Sequence, residues 1–326
     1  MTVFDVFNGD ADGICALVQL RKADPKKSRL ITGVKRDIQL LDRVEAGRGD
    51  QVNVLDISME KNRSALDRLL NQGVELFYVD HHRPGVIPEH AGLTAIIDTD
   101  PETCTSLLVN NHLGGQFLPW AITAAFGDNM TRAAELLCKQ QGYSSSRVDQ
   151  LKTLGICLNY NGYGEHVSDL HIPPDRLYLS LMAYDDPLEV VSDPASCFQQ
   201  LNAGYLEDLD RAGRERPAFS TEAVEIVVLP NESWARRVSG VLGNQLANAN
   251  ADKAHAVMTP SSKGGYVVSV RAPLNNRTGA DQLCSQFPSG GGRQAAAGIN
   301  HLPLSEFDHF ASVMQKMYGS KGDSEG

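Results

Sequence analysis

Residues 2–13 read TVFDVFNGDADG: a β-branched and aromatic run, an Asn-Gly turn, then two aspartates one residue apart. The run predicts a strand, and the apolar positions Ile14, Leu17, Val18 and Leu20 predict a helix over Gly13–Ala23. A strand that passes into a helix through a short acidic loop is a repeating unit of parallel α/β sheets. In such sheets the chemistry gathers beyond the carboxyl ends of the strands.

The pattern continues outward. LITGV (30–34), QVNVLDIS (51–58), ELFYVDHH (75–82) and LTAIIDT (93–99) read as further strands, with a helix over Arg63–Asn71 closed by Gly73. Helical patterning then dominates from Cys104 to about Leu158. Acidic motifs fall where strands end: Asp10 and Asp12 after the first, Asp56 after QVNVL, and Asp80-His81-His82 after ELFYV. Asp128 follows the helical segment PWAITAAF. One such aspartate is most often a cap or turn former; several in register point to a metal centre. A donor set rich in oxygen with a single imidazole suits Mn²⁺, Mg²⁺ or Co²⁺ better than structural zinc. Two such ions about 3.5–4 Å apart can activate a water for in-line attack on phosphorus, the chemistry of a phosphoesterase.

Bulk properties narrow the field. The 326 residues, 42% hydrophobic, suffice for two domains. Nine lysines and arginines balance nine carboxylates from Thr221 onward, so the net charge of −10 lies in the first 220 residues. That balance disfavours tight nonspecific binding of long nucleic acid and favours a small anionic substrate. No apolar run approaches the ~20 residues of a membrane span, and the N-terminus lacks the basic start of a signal peptide. Six scattered cysteines without a CxxC pair suit a reducing compartment, so the cytoplasm is expected.

Residues 186–220, punctuated by Pro187, Pro194 and Pro217, read as a partly helical linker. AVEIVVLP (223–230) restarts a strand, and a helix is predicted over Ser233–Asn248, with Arg236 and Arg237 as solvated charges. AHAVMTP (254–260) and GGYVVSVRAP (264–273) read as paired strands around Lys263-Gly264-Gly265. A short helix over Ala280–Phe287 leads to Gly290-Gly291-Gly292, which either cradles a phosphate with backbone N–H groups or is a tight strand-to-helix loop. A last helix over Leu304–Tyr318 and a disordered tail, GSKGDSEG (319–326), complete the chain. The segment 159–164 (NYNGYG) reads as a helix-terminating loop with buried tyrosines rather than a base-stacking platform.

The order DxDG (10–13), Asp56, Asp80-His81-His82, Asp128 resembles the DHH phosphoesterase superfamily, which includes RecJ-type exonucleases, nanoRNases, dinucleotide phosphodiesterases and family II pyrophosphatases. GGGRQAAAG (290–298) resembles the GGGHxxAAG signature of the DHH-associated domain, and Ser269-Val270-Arg271 its S-x-R strand. The resemblance implies an α/β fold: a parallel-sheet catalytic domain (1–185), a linker (186–220) and a smaller α/β substrate-binding domain (221–326), with a cleft between the two domains. It implies two Mn²⁺ ions, with Mg²⁺ or Co²⁺ as substitutes. Asp10 and Asp56 would hold the first, and Asp12, Asp56, His81 and Asp128 the second. Asp80 would orient a histidine, His82 would face the substrate, and Arg271, Gly290, Gly291, Gly292 and Arg293 would hold the far end of a nucleotide.

Three positions depart from the family pattern. Val6 stands where nanoRNases and pyrophosphatases have a histidine, and Asn8 where other branches have His or Asp, which makes the first ion site the weaker. Arg293 replaces the signature histidine and keeps a positive, bidentate donor for phosphate. The implied activity is that of a nanoRNase or oligoribonuclease: hydrolysis of short single-stranded oligonucleotides or linear dinucleotides such as pGpG or pApA to mononucleotides. The alternatives are a dinucleotide-binding or cyclic-dinucleotide-binding sensor with weak turnover, and a phosphatase for 3′-phosphoadenosine 5′-phosphate. A homodimer is a common state for this fold.

Overall fold

β1 (Val3–Phe7) is buried along its whole length in the computed structural model, which describes residues 1–319. Past Gly319 the expected tail lies outside the described residues. Burial on both faces is what a continuous VFDVF run means in a covered parallel sheet. Its one charged residue, Asp5, is matched by Arg21, Ser28 and Asn53, so it is a satisfied interior charge rather than a reactive one.

The chain divides into two units, Met1–Gly204 and Tyr205–Gly326. In the first, β1 is followed by α1 (Ala11–Ala23), β2 (Arg29–Ile31), β3 (Gln51–Leu55), α2 (Arg63–Asn71), β4 (Glu75–Asp80) and β5 (Leu93–Ile97). The five strands are parallel in the order β2-β1-β3-β4-β5, in register from Val3↔Gln51 to Phe7↔Leu55. The strand order reverses between β1 and β3. At such a switch point the connections leave on opposite faces and open a crevice at the carboxyl ends. Asp10 follows β1 and Asp56 follows β3, one on each side of it.

Helices α3 (Thr105–His112), α4 (Leu118–Gly127), α5 (Thr131–Gln140), α6 (Ser145–Asn161) and α7 (Pro174–Leu181) complete the first unit with α8 (Pro187–Ser192). The last helix, α9 (Cys197–Ala212), runs across the division. Residues 186–220 therefore contain two helices. Pro187 starts one of them, at a first-turn position where its missing N–H costs nothing, behind an Asp186/Glu189 capping box. Gly127 ends α4 so close to α1 and α6 that a Cβ there would lie 2.4 Å from Ala11 Cβ and 2.7 Å from the Gly155 carbonyl. That approach brings Asp128 to the start of α1.

The second unit carries β6 (Phe219–Ser220), β7 (Val224–Val228), α10 (Ser233–Ala249), β8 (Ala254–Pro260), β9 (Tyr266–Arg271), α11 (Ala280–Cys284), β10 (Gly290–Gly292), β11 (Ala296–Leu302) and α12 (Phe307–Gly319). Its mixed sheet runs β10-β11-β9-β8-β7-β6, parallel only between β7 and β8. Trp234, Val238 and Leu242 of α10 pack with Val227 and Val257. Leu283 of α11 and Phe310 and Met314 of α12 pack with Ile226, Val268 and Val270. Two sequence expectations change here. The glycine triplet is an edge strand paired with Ala297–Ile299, not a loop into a helix; a Cβ on Gly290 would collide with the Cys284 carbonyl, and Gly292 takes φ +147. Arg237 is not solvated, since it forks onto the buried Asp208 at 2.9 and 3.3 Å. Among the described residues no helix is long and apolar enough to cross a membrane.

Candidate metal centre

Asp10 caps α1: its Oδ1 accepts from the backbone N–H groups of Asp12 and Gly13 at 3.0 and 3.1 Å. Its other oxygen accepts from Lys35 Nζ. Asp12, in the first helical turn, is fully buried and accepts from the N–H groups of Thr105 and Ser106 at 2.8 and 2.7 Å. These are two of the unsatisfied donors at the start of α3, so the helix end fixes the carboxylate and favours its charge. Asp56 adopts φ +60, a left-handed conformation that Asp and Asn tolerate best, and this turns its side chain into the crevice as β3 ends. Asp128 follows α4 with its side chain partly exposed.

His81 stands at the centre. Its Nδ1 donates to the Thr103 carbonyl at 3.1 Å, which leaves Nε2 facing inward. That nitrogen lies 3.4 Å from Asp56 Oδ1, 3.8 Å from Asp128 Oδ2 and 3.9 Å from Asp12 Oδ2. Donors bound at about 2.1 Å to one octahedral or tetrahedral ion lie about 3–3.5 Å apart. The observed spacing is a few tenths of an ångström wider, as a shell that closes slightly on an ion would be. Burial alone would lower the His81 pKa, but Asp56 beside it, with Asp12 and Asp128, holds it up at about 10. Burial, Asp10 and Asp12 push the Asp56 carboxyl well above its ordinary value. The imidazolium thus stands in for a cation among three carboxylates, each 3.4–3.9 Å from its Nε2.

His82 lies beside this group. Its Nδ1 donates to Asp80 Oδ1 at 2.7 Å, which sets the tautomer and turns Nε2 outward on a side chain that is 42% exposed. Asp56, His81 and His82 together offer donor atoms all within 4.8 Å of one another. Asp80 is fully buried at the end of β4, and its Oδ2 has no hydrogen-bond partner.

The other side of the crevice differs. Lys35, beyond β2, places Nζ 2.5 Å from Asp10 Oδ2, 2.9 Å from Asn159 Oδ1 and 3.3 Å from Asp128 Oδ1. Burial opposes its charge, but Asp10 and Asp128 hold the ammonium protonated well above the usual lysine range. Asn8 is buried and gives its Nδ2 to the Lys35 carbonyl at 3.3 Å, while its Oδ1 has no partner. Val6 is in the core. The residues expected for a first ion therefore fit one only if Lys35 moves away. Sequence reasoning missed Lys35 and Asn159. The available signal was position: Lys35 follows β2 at the same edge of the sheet as the aspartates. The expected tyrosine-rich loop has one ring buried, Tyr160, bonded to His171; Tyr163 lies under Lys35 Nζ at 5.7 Å from the ring centre.

The remaining candidates are in the second unit. Arg271 on β9 is tied to Asn244 Oδ1, Ser269 Oγ and the Gly240 carbonyl. Arg293 is exposed in the turn between β10 and β11, bonded through its backbone to Ala296, and Ala296 pairs with Arg271 across the ladder. Both arginines therefore sit at one end of this sheet.

No protein-family model and no curated protein matches the sequence. Solved structures do. The exonuclease RecJ bound to manganese aligns over 99% of this chain and 91% of its own, at 16% identity and a TM-score of 0.61. RecJ from Thermus thermophilus in complex with Mn²⁺ gives 17% identity and a TM-score of 0.66 over 99% of this chain. The match spans 52%, about half, of that longer protein. The chain shares the fold of these RecJ structures. The pGpG-specific phosphodiesterase PggH from Vibrio cholerae aligns over 99% of this chain and all of its own, at 12% identity and a TM-score of 0.52.

Proposed function

We propose that this chain is a divalent-metal phosphodiesterase, nanoRNase-like, that cleaves short single-stranded oligonucleotides or linear dinucleotides to mononucleotides. The observation that carries the reading is His81 Nε2 between three carboxylates from three separate elements, at 3.4–3.9 Å. The DHH fold and relatives solved with Mn²⁺ and Mg²⁺ support it. Asp12, Asp56, His81 and Asp128 would hold a divalent ion, with Mn²⁺ the first choice for this donor set. Such an ion supplies positive charge to the phosphate and makes water a better nucleophile.

The chain's own residues do the rest. Asp56 fixes the centre from the left-handed turn after β3. Asp80 locks the tautomer of His82, whose outward Nε2 would donate a proton to the leaving oxygen. Asp10 and Asn8 would offer a weaker first site beside Asp56 only with Lys35 drawn away from Asp10. Arg271 and Arg293, with the Gly290–Gly292 edge, would hold the distal nucleotide. In this assignment residues 1–185 are catalytic, 186–220 link, and 221–326 bind substrate. All six cysteines are free, and we place the protein in the cytoplasm on that chemistry.

The test is product analysis. With Mn²⁺ and labelled pGpG or pApA, the chain should release mononucleotides, and Asp128→Ala should abolish the release. Unchanged turnover in Asp128→Ala would overturn the metal centre. Release of inorganic phosphate from 3′-phosphoadenosine 5′-phosphate in place of dinucleotide cleavage would overturn the substrate class.

A further inference from the structure

The Lys35 ammonium is held by construction, not by the chance reach of a long side chain. Its backbone N–H donates to the Gly162 carbonyl at 2.8 Å, and its own carbonyl accepts from Asn8. Gly162 caps α6 where a Cβ would lie 3.1 Å from Asp10, so the end of α6, the Lys35 loop and the start of α1 converge. The three hydrogens of the ammonium match three oxygens: Asp10 Oδ2, Asn159 Oδ1 and Asp128 Oδ1. Asp10 Oδ2 thus meets an ammonium where a first ion would bind, and its other oxygen caps the helix. The two nearby positions that could compensate are a buried valine, Val6, and a neutral amide, Asn8. Charge agrees. One divalent ion at His81 and one ammonium balance the four carboxylates Asp10, Asp12, Asp56 and Asp128 to within a single charge.

We propose that Lys35 takes the place of the first divalent ion, so that the working enzyme carries one ion and one built-in ammonium. The inference rests on the phosphoesterase reading above. Lys35 Nζ would then face the phosphate from the side opposite His81, as a fixed point charge. Activity would depend on the first power of Mn²⁺ concentration.

The test counts ions. Metal analysis after equilibrium dialysis against Mn²⁺ should find one ion per wild-type chain, with the electron paramagnetic resonance hyperfine pattern of an isolated ion. The double variant Lys35→Ala/Asn8→Asp, which frees Asp10 and adds a carboxylate, should bind two and show the broadened signal of a coupled pair. Two ions in the wild type would overturn the lysine assignment and leave the phosphoesterase reading intact, as would a single ion in the double variant. No bound ion in the wild type would overturn both.

Discussion

The crevice holds two cationic heads among four carboxylates, and they are held differently. Lys35 Nζ touches its oxygens at 2.5–3.3 Å, which are direct hydrogen bonds. His81 Nε2 stands 3.4–3.9 Å from its three, too far for good bonds and near the spacing of donors that share an ion. The first arrangement is closed by direct hydrogen bonds; the second is held by charge across longer gaps. Distance separates an ion pair from a ligand shell even where residue types do not.

Asp56→Asn should break the second arrangement most severely. Asn keeps the left-handed backbone and the shape but loses the charge. Turnover should fall on the order of 10³-fold or more, as when a central catalytic group is removed. The metal-free variant should meanwhile melt higher than the metal-free wild type, because burial, Asp10 and Asp12 make the Asp56 charge costly. An inactive variant that melts lower would show that Asp56 holds the fold rather than the ion.

His82 and Asp80 come next. His82→Gln should lower kcat by about 10²–10³-fold if Nε2 donates to the leaving oxygen, with Mn²⁺ affinity little changed. Asp80→Asn should cost about 10–100-fold, as the loss of an orienting partner does. Equal metal loss in both variants would put them in the ligand shell instead.

Much of this was legible before the fold. Strand ends followed by aspartates, together with a parallel-sheet pattern, located Asp10, Asp12, Asp56 and His81, because period-2 runs and strand-end chemistry are local in sequence. Asp128 was read from the same acidic pattern although it follows a helix, and it arrives through the Gly127–Ala11 packing. Lys35 was not legible. A lysine in a loop is ordinarily solvated, and only the third dimension sets it against Asp10 and Asn159. The secondary structure of the glycine triplet was not legible either. Three glycines suggest a loop, whereas they form an edge strand in which two of them admit close backbone packing against α11 and β11.

pH sharpens the same contrast. The folded chain holds the His81 proton up to about 10, against 6.5 for a free imidazole, so the unfolded state releases it first. The stabilisation is complete below pH 6.5 and lost as pH rises through about 10. Asp56, also raised, acts in the same direction from 3.8 upward. Chelator-treated protein should therefore melt progressively lower from pH 6.5 to 10. Saturating Mn²⁺ should remove the decline, because the ion replaces the proton. A melting temperature that rises over this window in chelator would remove the imidazolium from the account.

The smallest effect is expected in the second unit, where the Arg271 guanidinium is tied to Asn244, Ser269 and Gly240 while Arg293 stands exposed. Arg293 is exposed in a turn, so Arg293→Ala should change stability by no more than about 0.5 kcal/mol. A charge-assisted bond to phosphate is worth about 1.5–3 kcal/mol, so KM for a dinucleotide should rise about tenfold or more. If the contact serves ground state and transition state alike, kcat should hold constant. Arg271→Ala should instead lower both affinity and melting temperature, because it also cuts the ties to Asn244, Ser269 and Gly240. A fall in kcat at constant KM for Arg293→Ala would mean that the turn acts on the reacting phosphate and not on the far nucleotide.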